Sequence, residues 1–279
     1  MHVLREALAE FLREDIGKVD ITSEILPSVK ARAEIICKER AVIAGLKEVC
    51  ILFELAKCRA RSLIREGSFV KPNTSIITVE GNAKAILSAE RTALNILMRM
   101  SGIATETRRF VDQVKKINRN VRIACTRKTS PGFRIFDKRA VKVGGGETHR
   151  MRLDEMVLIK DNHLAIIDSI DEAVRRAREI HRSRGRIEVE VRTLDEAMEA
   201  AKAGVDIIML DNLTPKQART VVNALKKKGL RDKVMIEVSG GITHENVKRY
   251  ASIDIDMISV GSITHSVKAV DMSLEIIKT

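Results

Sequence analysis

Hydrophobic positions along the chain follow two rhythms. Near the N-terminus Leu4, Leu8, Phe11 and Leu12 recur at helical spacing and predict an opening helix. Residues 31–44 and 76–79 read as strands, and the segment 66–73 between them contains the Gly and Pro of a turn. A helix is expected over 46–57, and a long one from Ser88 to about Lys116 with a break near Gly102. On that long helix Arg91, Asn95 and Arg99 are spaced four apart and share a face. From residue 121 the rhythm becomes strand, loop, helix, repeated. β-rich runs at 121–125, 156–159, 187–191, 207–210, 234–238 and 257–260 alternate with helical segments such as 170–184, 194–203, 215–228 and 245–251. This alternation predicts parallel βαβ units, and six or more in succession fit an α/β barrel, with an open doubly wound sheet as the competing architecture.

The carboxyl ends of these runs carry the polar chemistry: Thr126-Arg127-Lys128, Lys160-Asp161-Asn162-His163, Glu190, Asp211-Asn212, Ser239-Gly240-Gly241 and Gly261-Ser262. Loops commonly begin with polar residues, so one such site means little. Six of complementary charge predict a common pocket, because the carboxyl ends of barrel strands converge on one face.

Composition narrows the field. With 279 residues, 44% of them hydrophobic and 32% charged, the chain can build a core for one large domain or two ordinary ones, which excludes disorder. No apolar run approaches the roughly 18 residues of a membrane helix, and the first residues lack the layout of a signal peptide, so a cytoplasmic protein without membrane contact is expected. Cys37, Cys50, Cys58 and Cys125 show no CxxC pair and no His at ligand spacing, and read as free thiols.

The net charge of +12 is unevenly spread. Residues 105–165 hold 15 basic and 7 acidic groups, against 16 and 13 in 1–104 and 19 and 18 in 166–279. Part of that excess belongs to solvated surface, where Lys115, Lys116, Arg119 and Arg122 are expected. A basic nucleic-acid-binding protein is the reading from another class, with steeply salt-dependent binding as its signature. The absence of Trp, with one Tyr and six Phe, leaves few rings for base stacking and argues against it.

Arg127, Lys128, His149, Arg150 and Lys160 form a cationic set suited to a ligand with several anionic groups. The run Gly144-Gly145-Gly146 offers a sharp turn or close backbone approach, and neither a P-loop nor GxGxxG occurs. Ser239-Gly240-Gly241-Ile-Thr243 and Val260-Gly261-Ser262-Ile-Thr264 each follow a late strand, and the first leads into a helix. Together they predict a phosphate site, with two plain βα turns as the alternative. Glu190 and Asp211 stand opposite in sign. Glu188 and Glu190, two apart on a strand, project to one face, and burying both calls for a cation. Mg²⁺ carried by a polyphosphate would answer that, as would positive charge developing on a sugar carbon. No Ser or Cys nucleophile stands beside a base, so covalent catalysis is not expected.

Taken together, Glu14-Asp-Ile-Gly-Lys-Val-Asp-Ile-Thr22, Glu90-Arg-Thr-Ala-Leu-Asn95, Ser101-Gly-Ile-Ala-Thr105, Thr126-Arg-Lys-Thr-Ser-Pro-Gly132, Gly144-Gly-Gly-Glu-Thr-His-Arg150, Leu158-Ile-Lys-Asp-Asn-His163, Glu188-Val-Glu190, Met209-Leu-Asp-Asn212, Ser239-Gly-Gly-Ile242 and Ser259-Val-Gly-Ser262 carry a family resemblance in order along nearly the whole chain. The chain resembles the quinolinate phosphoribosyltransferases, also called nicotinate-nucleotide pyrophosphorylases (carboxylating). The resemblance implies an N-terminal α/β sandwich domain, 1–104, followed by an incomplete six- or seven-stranded TIM-like α/β barrel, 105–279. A C-terminal helix, 266–279, is expected to pack back on the first domain.

The family's reaction joins quinolinate to 5-phosphoribosyl 1-pyrophosphate (PRPP), giving nicotinate mononucleotide, pyrophosphate and carbon dioxide for NAD synthesis. The resemblance places Thr126, Arg127, Lys128, His149, Arg150 and Lys160 around quinolinate, with Arg91 reaching in from a neighbouring subunit of a homodimer or higher oligomer. It places Glu190, Asp211, Ser239, Gly240, Gly241, Val260, Gly261 and Ser262 around PRPP. Lys128, Glu190 and Asp211 are the implied catalytic residues. Glu190 and Asp211 would also take Mg²⁺ carried with PRPP, and no tightly bound organic cofactor is implied. Two departures stand out: Met151-Arg152 after Arg150, where a smaller residue is expected, and Arg192 close to Glu190. A molybdenum-transport-associated homologue of this fold is the nearest alternative enzyme, and the intact Thr126-Arg-Lys and Leu158-Ile-Lys-Asp-Asn-His segments argue against it. The turn at 66–73 faintly resembles lipoyl-carrier domains but lacks their Met-Lys-type attachment lysine.

Overall fold

The computed structural model describes residues 2–181 and 185–277. In chain order, α1 (His2–Ile16) buries Leu4, Leu8 and Leu12 on one stripe, as its spacing predicts. A 3₁₀ turn at Ser23–Ile25 leads to β1 (Lys30–Cys37), β2 (Ala41–Val42), α2 (Leu46–Leu55), β3 (Arg59–Ser62), β4 (Phe69–Val70) and β5 (Thr74–Asn82). The long α3 (Ala83–Lys115) follows. Then come β6 (Arg122–Ala124), α4 (Arg134–Gly144), β7 (Val157–Ile159), α5 (Asp161–Ile167), α6 (Ile170–His181), β8 (Ile187–Val191), α7 (Leu194–Lys202) and β9 (Ile207–Asp211). The chain ends with α8 (Pro215–Lys227), β10 (Met235–Ser239), α9 (Val247–Ala251), β11 (Met257–Ser259), α10 (Ser262–His265) and β12 (Met272–Ile277). Among the described residues no helix is long and apolar enough to cross a membrane.

Two compact units divide the chain: Met1–Glu106 with Lys142–Gly144 and Val267–Thr279, and Thr107–Val141 with Gly145–Ser266. In the first, an antiparallel sheet runs β12-β1-β5-β3, with β2 and β4 as a separate pair. The sequence suggested one strand over 31–44; the structure interrupts it at 38–40. The expected helix at 266–279 is a correction: 272–277 form β12, antiparallel to β1, and 278–279 lie outside the described residues. The physical reason is the period. Met272, Leu274 and Ile276 alternate with Ser273 and Glu275, a strand rhythm, and β1 offers an edge for pairing.

Gly102 does not break α3. A Cβ there would lie 2.3 Å from the Lys268 carbonyl oxygen, so this glycine serves the close approach of the C-terminal segment.

The second unit is a six-stranded parallel sheet in the order β6-β11-β10-β9-β8-β7, the incomplete barrel implied by the resemblance. Its strands match the predicted runs to within a residue or two at each end, and 182–184 of the predicted helix 170–184 lie outside the described residues. The βα turns are locally encoded. Thr193 and Thr214 cap α7 and α8 through capping boxes with Glu196 and Gln217, and Pro215 occupies the first turn of α8. Each such cap contributes about 1 kcal/mol. Ile123, Val189, Ile208, Leu210, Ile236, Val238 and Ile258 form the buried strand core.

Candidate active site

The strand ends of the second unit enclose a cavity of about 560 Å³, a size suited to a small ligand. Thr126, Arg127, Lys128, His149, Arg150, Lys160, Glu190, Asp211, Ser239, Gly240 and Gly241 all line it, so the strand-end reading brings eleven of the fifteen named residues together. Val260, Gly261 and Ser262 are not among the lining residues, although Ser259 is. Val260 is consumed by the sheet: it is buried, and its N–H donates to the Ala124 carbonyl at 2.8 Å. Gly261 stands behind Lys128, where an added Cβ would come within 3.4 Å of the lysine Cδ. Arg91 is exposed on α3 in the other compact unit.

The cationic side is built by β6 and by the segment after α4. Lys128 is held by its backbone: its N–H donates to Thr126 Oγ1 at 3.1 Å, and its carbonyl accepts from Thr264 Oγ1 at 2.8 Å. Arg127 Nε is buried and has no hydrogen-bond partner among the described residues, a donor left for a ligand. Arg150 donates from Nη1 to the Met156 carbonyl at 3.0 Å. Burial and the neighbouring Arg127 guanidinium lower the Arg150 pKa. Two guanidiniums that repel each other in a cavity are the signature of an anion site. Elsewhere in the basic stretch, Lys115, Lys116, Arg119 and Arg122 are exposed, as expected.

Below these groups His149 enters the barrel interior with a left-handed backbone, φ 48°. Its Nε2 lies 3.2 Å from Glu188 and 3.3 Å from Glu237, both fully buried. Nδ1 lies 2.8 Å from the Arg150 backbone N–H, an arrangement that by itself favours a neutral ring. That one neutral bond is worth on the order of 1 kcal/mol, less than the attraction of two carboxylates in a dry core. Burial alone would lower the ring pKa, but the contacts with Glu188 and Glu237 outweigh it and raise it to about 10. Burial, with the Glu237 charge beside it, raises the Glu188 pKa. The three donor atoms lie within 4.8 Å of one another, a grouping that can share a proton on Nε2 or hold a metal ion.

Glu237 escaped the sequence reading. It was legible, because Glu237 and Ser239 stand two apart on β10 just as Glu188 and Glu190 do on β8.

Lys160 leaves β7 at the start of α5, and its backbone N–H donates to His163 Nδ1 at 3.0 Å. Its ammonium pairs with Glu190 across the cavity. Arg192 bridges Asp161 at 2.9 Å and Asp211 at 3.4 Å, so this departure from the family pattern is tied into the acidic rim. Arg152 pairs outward with Asp154 at 3.1 Å and is not among the cavity's lining residues. Lys160 engages Glu190 Oε2, while Arg192 and Asn212 engage Asp211 Oδ2. Glu190 Oε1 and Asp211 Oδ1 are left without a protein donor among the described residues. Two free hard oxygens beside a small-residue loop match what Mg²⁺ takes when it also holds phosphate.

The Ser239-Gly240-Gly241 loop differs from expectation in one respect. The helix that follows it, α9, begins only at Val247 and spans five residues, and α10 spans four, so neither helix dipole contributes much. Space and backbone do the shaping instead. Gly240 has φ 91°, and a Cβ on it would lie 2.3 Å from Asn212 Oδ1. Asn246 Nδ2 donates to the Gly241 carbonyl at 2.8 Å and fixes the far side of the loop.

Known proteins give this site a family. The N-terminal domain profile of quinolinate phosphoribosyl transferase matches residues 20–101, and the C-terminal domain profile matches residues 103–275. A probable nicotinate-nucleotide pyrophosphorylase (carboxylating) of Methanothermobacter thermautotrophicus is 44% identical, covering 98% of this chain and 99% of its own. The Rattus norvegicus nicotinate-nucleotide pyrophosphorylase (carboxylating) is 36% identical over 95% of this chain and 88% of its own. The solved nicotinate-nucleotide pyrophosphorylase of Francisella tularensis superposes with a TM-score of 0.91 at 34% identity, covering 99% of this chain and 96% of the other. Both domain profiles and full-length relatives thus cover almost all of these residues, and the chain belongs to the quinolinate phosphoribosyl transferase family.

Proposed function

We propose that the chain is a phosphoribosyltransferase that joins quinolinate to PRPP, forming nicotinate mononucleotide, pyrophosphate and carbon dioxide in NAD biosynthesis. The observation that carries this reading is the cavity itself. A buried, unpartnered Arg127 Nε stands beside Arg150 and Lys128 on one wall, with Glu190 and Asp211 on the other. A ligand with two carboxylates answers the first wall, and a sugar carbon gaining positive charge answers the second.

In this reading Arg127, Arg150 and Lys160 hold the quinolinate carboxylates, Thr126 lines their pocket, and Lys128 lies between the substrates; His149, expected from the resemblance to hold a carboxylate, lines the cavity instead, because its ring nitrogens are taken up by the Arg150 N–H and by Glu188 and Glu237. Arg91 reaches in from the neighbouring subunit of a homodimer. Ser239, Gly240, Gly241, Gly261 and Ser262 shape the PRPP phosphate end with Val260 behind them, while Glu190 and Asp211 face the ribose. The free oxygens of Glu190 and Asp211 would hold Mg²⁺ brought by PRPP, which when bound neutralises the leaving pyrophosphate. Positioning does the rest. The pyridine nitrogen forms a bond to the anomeric carbon as the bond from that carbon to pyrophosphate breaks. The quaternised ring then accepts the electron pair as the 2-carboxylate leaves as carbon dioxide, and a proton from the medium replaces it. No side chain acts as a nucleophile, and the enzyme works in the cytoplasm.

The test is direct. With quinolinate, PRPP and Mg²⁺ the protein yields nicotinate mononucleotide and carbon dioxide in equal amounts, and nicotinate in place of quinolinate gives little product. Equal turnover of nicotinate, or no turnover of either acid, overturns the substrate assignment.

A further inference from the structure

α4 presents Arg134 and Lys138 one turn apart on a single face. Lys138 is only 1% exposed, yet among the described residues no carboxylate lies within ion-pair distance of its ammonium. Its Nζ donates instead to two main-chain carbonyls, those of Thr148 and Arg150. One turn earlier, Arg134 donates from Nη1 to the Met151 carbonyl at 3.2 Å and from Nε to Thr129 Oγ1 at 3.1 Å.

The segment they grip has other holds, from the Cys125 Sγ–H to the Thr148 carbonyl at 3.5 Å, from the Met151 N–H to Glu155 Oε2 at 2.7 Å and from Arg150 Nη1 to the Met156 carbonyl at 3.0 Å, but among the described residues only Lys138 donates to the carbonyls on both sides of His149. Glu147 forms a parallel bridge with Ala124, its N–H donating to the Ile123 carbonyl at 2.7 Å and its carbonyl accepting from the Cys125 N–H at 3.0 Å, and among the described residues no strand continues beyond it on that side of β6. Residues 148–151 therefore run along the open side of the barrel, where a neighbouring strand would otherwise supply N–H donors. A side-chain ammonium does so here. Burying a cation without a counter-ion is costly, and an apolar residue would fill the same helix position, so the charge at Lys138 is explained by what it holds. Between its two acceptors stands His149 in its left-handed conformation.

We infer that Lys138 is a positioning residue for quinolinate recognition: from α4 its buried ammonium fixes the carbonyls on either side of His149, and so sets where the His149 ring and the Arg150 guanidinium meet the cavity. This rests on the reading of the cavity as a quinolinate pocket. It adds a residue that makes no contact with either substrate in that reading and that lies ten residues upstream of the turn it controls.

Lys138→Met keeps the length and removes every donor, and Lys138→Gln keeps an amide donor. Steady-state kinetics should show the KM for quinolinate rising at least tenfold in Lys138→Met and by less in Lys138→Gln, with the KM for PRPP within twofold of wild type in both. Parallel rises in both KM values, a fall in kcat alone, or wild-type kinetics overturn the inference. If Lys138→Met does not fold, Lys138→Gln decides: a KM for quinolinate within twofold of wild type in that variant overturns the inference. A second measurement is independent of substrate. In ¹⁵N-histidine spectra of Lys138→Gln without ligands, the His149 ring resonances should move while those of the other five histidines stay, and an unmoved His149 overturns the positioning role. Failure of wild-type protein to turn over quinolinate would overturn the proposed reaction and leave this spectroscopic criterion to decide the role of Lys138.

Discussion

The trio of His149, Glu188 and Glu237 makes the stability of the barrel unit depend on pH in a defined direction. The His149 ring is raised from 6.5 to about 10 in the folded state. Its stabilising effect is therefore complete below pH 6.5 and is lost as pH climbs toward 10. Between pH 6 and pH 9 the loss amounts to roughly 3 kcal/mol, at about 1.4 kcal/mol per pKa unit. Glu188, raised from 4.5 to about 7, works in the same direction between those values and adds to the loss in the lowest part of this window, since a carboxyl that prefers its proton when folded loses stabilisation as pH rises.

Glu237→Gln keeps the volume and removes one of the two anions facing the ring. The loss between pH 6 and 9 should then shrink to about half. Urea unfolding followed by tyrosine fluorescence reads this cleanly, because the chain has no Trp and one Tyr. That residue, Tyr250, is buried in the barrel unit with its hydroxyl donating to the Leu213 carbonyl at 2.9 Å. At a slope of about 2 kcal/mol per molar urea, the wild-type midpoint should fall by about 1.5 M between the two pH values. Working no higher than pH 9 also avoids most of the slope from the buried Cys125 thiol, which burial pushes up to about 11. Equal midpoint shifts in wild type and variant would refute the reasoning. So would a divalent metal ion retained by dialysed wild type and missing from the variant, which would mean that an ion and not a proton joins the trio.

Other outcomes follow from the same geometry. Arg127→Ala removes the orphaned donor and should raise the KM for quinolinate roughly 10- to 100-fold, the worth of a charged hydrogen bond; unchanged quinolinate kinetics would remove Arg127 from the pocket. Gly240→Ala places a methyl 2.3 Å from Asn212 Oδ1 and 2.9 Å from Asn212 N, and that N–H is held on the Ser239 carbonyl at 2.9 Å. The variant should raise the KM for PRPP at least tenfold while leaving quinolinate binding, measured by calorimetry, within about twofold.

The local encoding of this protein is strong where one rhythm dominates. The opening helix, six barrel strands and the capped helices α7 and α8 are readable because hydrophobic period and capping residues agree. The strand ends were legible for the same reason, since a parallel barrel leaves few places for polar residues other than the carboxyl face. Reading failed where the deciding partner is distant. The alternating C-terminal residues have a strand rhythm, but the edge that pairs them, β1, lies more than two hundred residues away in sequence. Gly102 looked like a helix break, but the proximity of Lys268 is what explains a glycine there.

By itself, then, the sequence determined the α/β class, the parallel succession of strands and the gathering of Arg127, Lys128, Lys160, Glu190 and Asp211, since each follows from short-range period and spacing. The tertiary structure alone decided that Glu237 joins Glu188 around His149, that Arg192 clamps Asp211, and that Lys138 holds the turn through Thr148 and Arg150. Those three arrangements depend on charged and polar groups brought together from separate elements, and burial gives the innermost of them most of their strength.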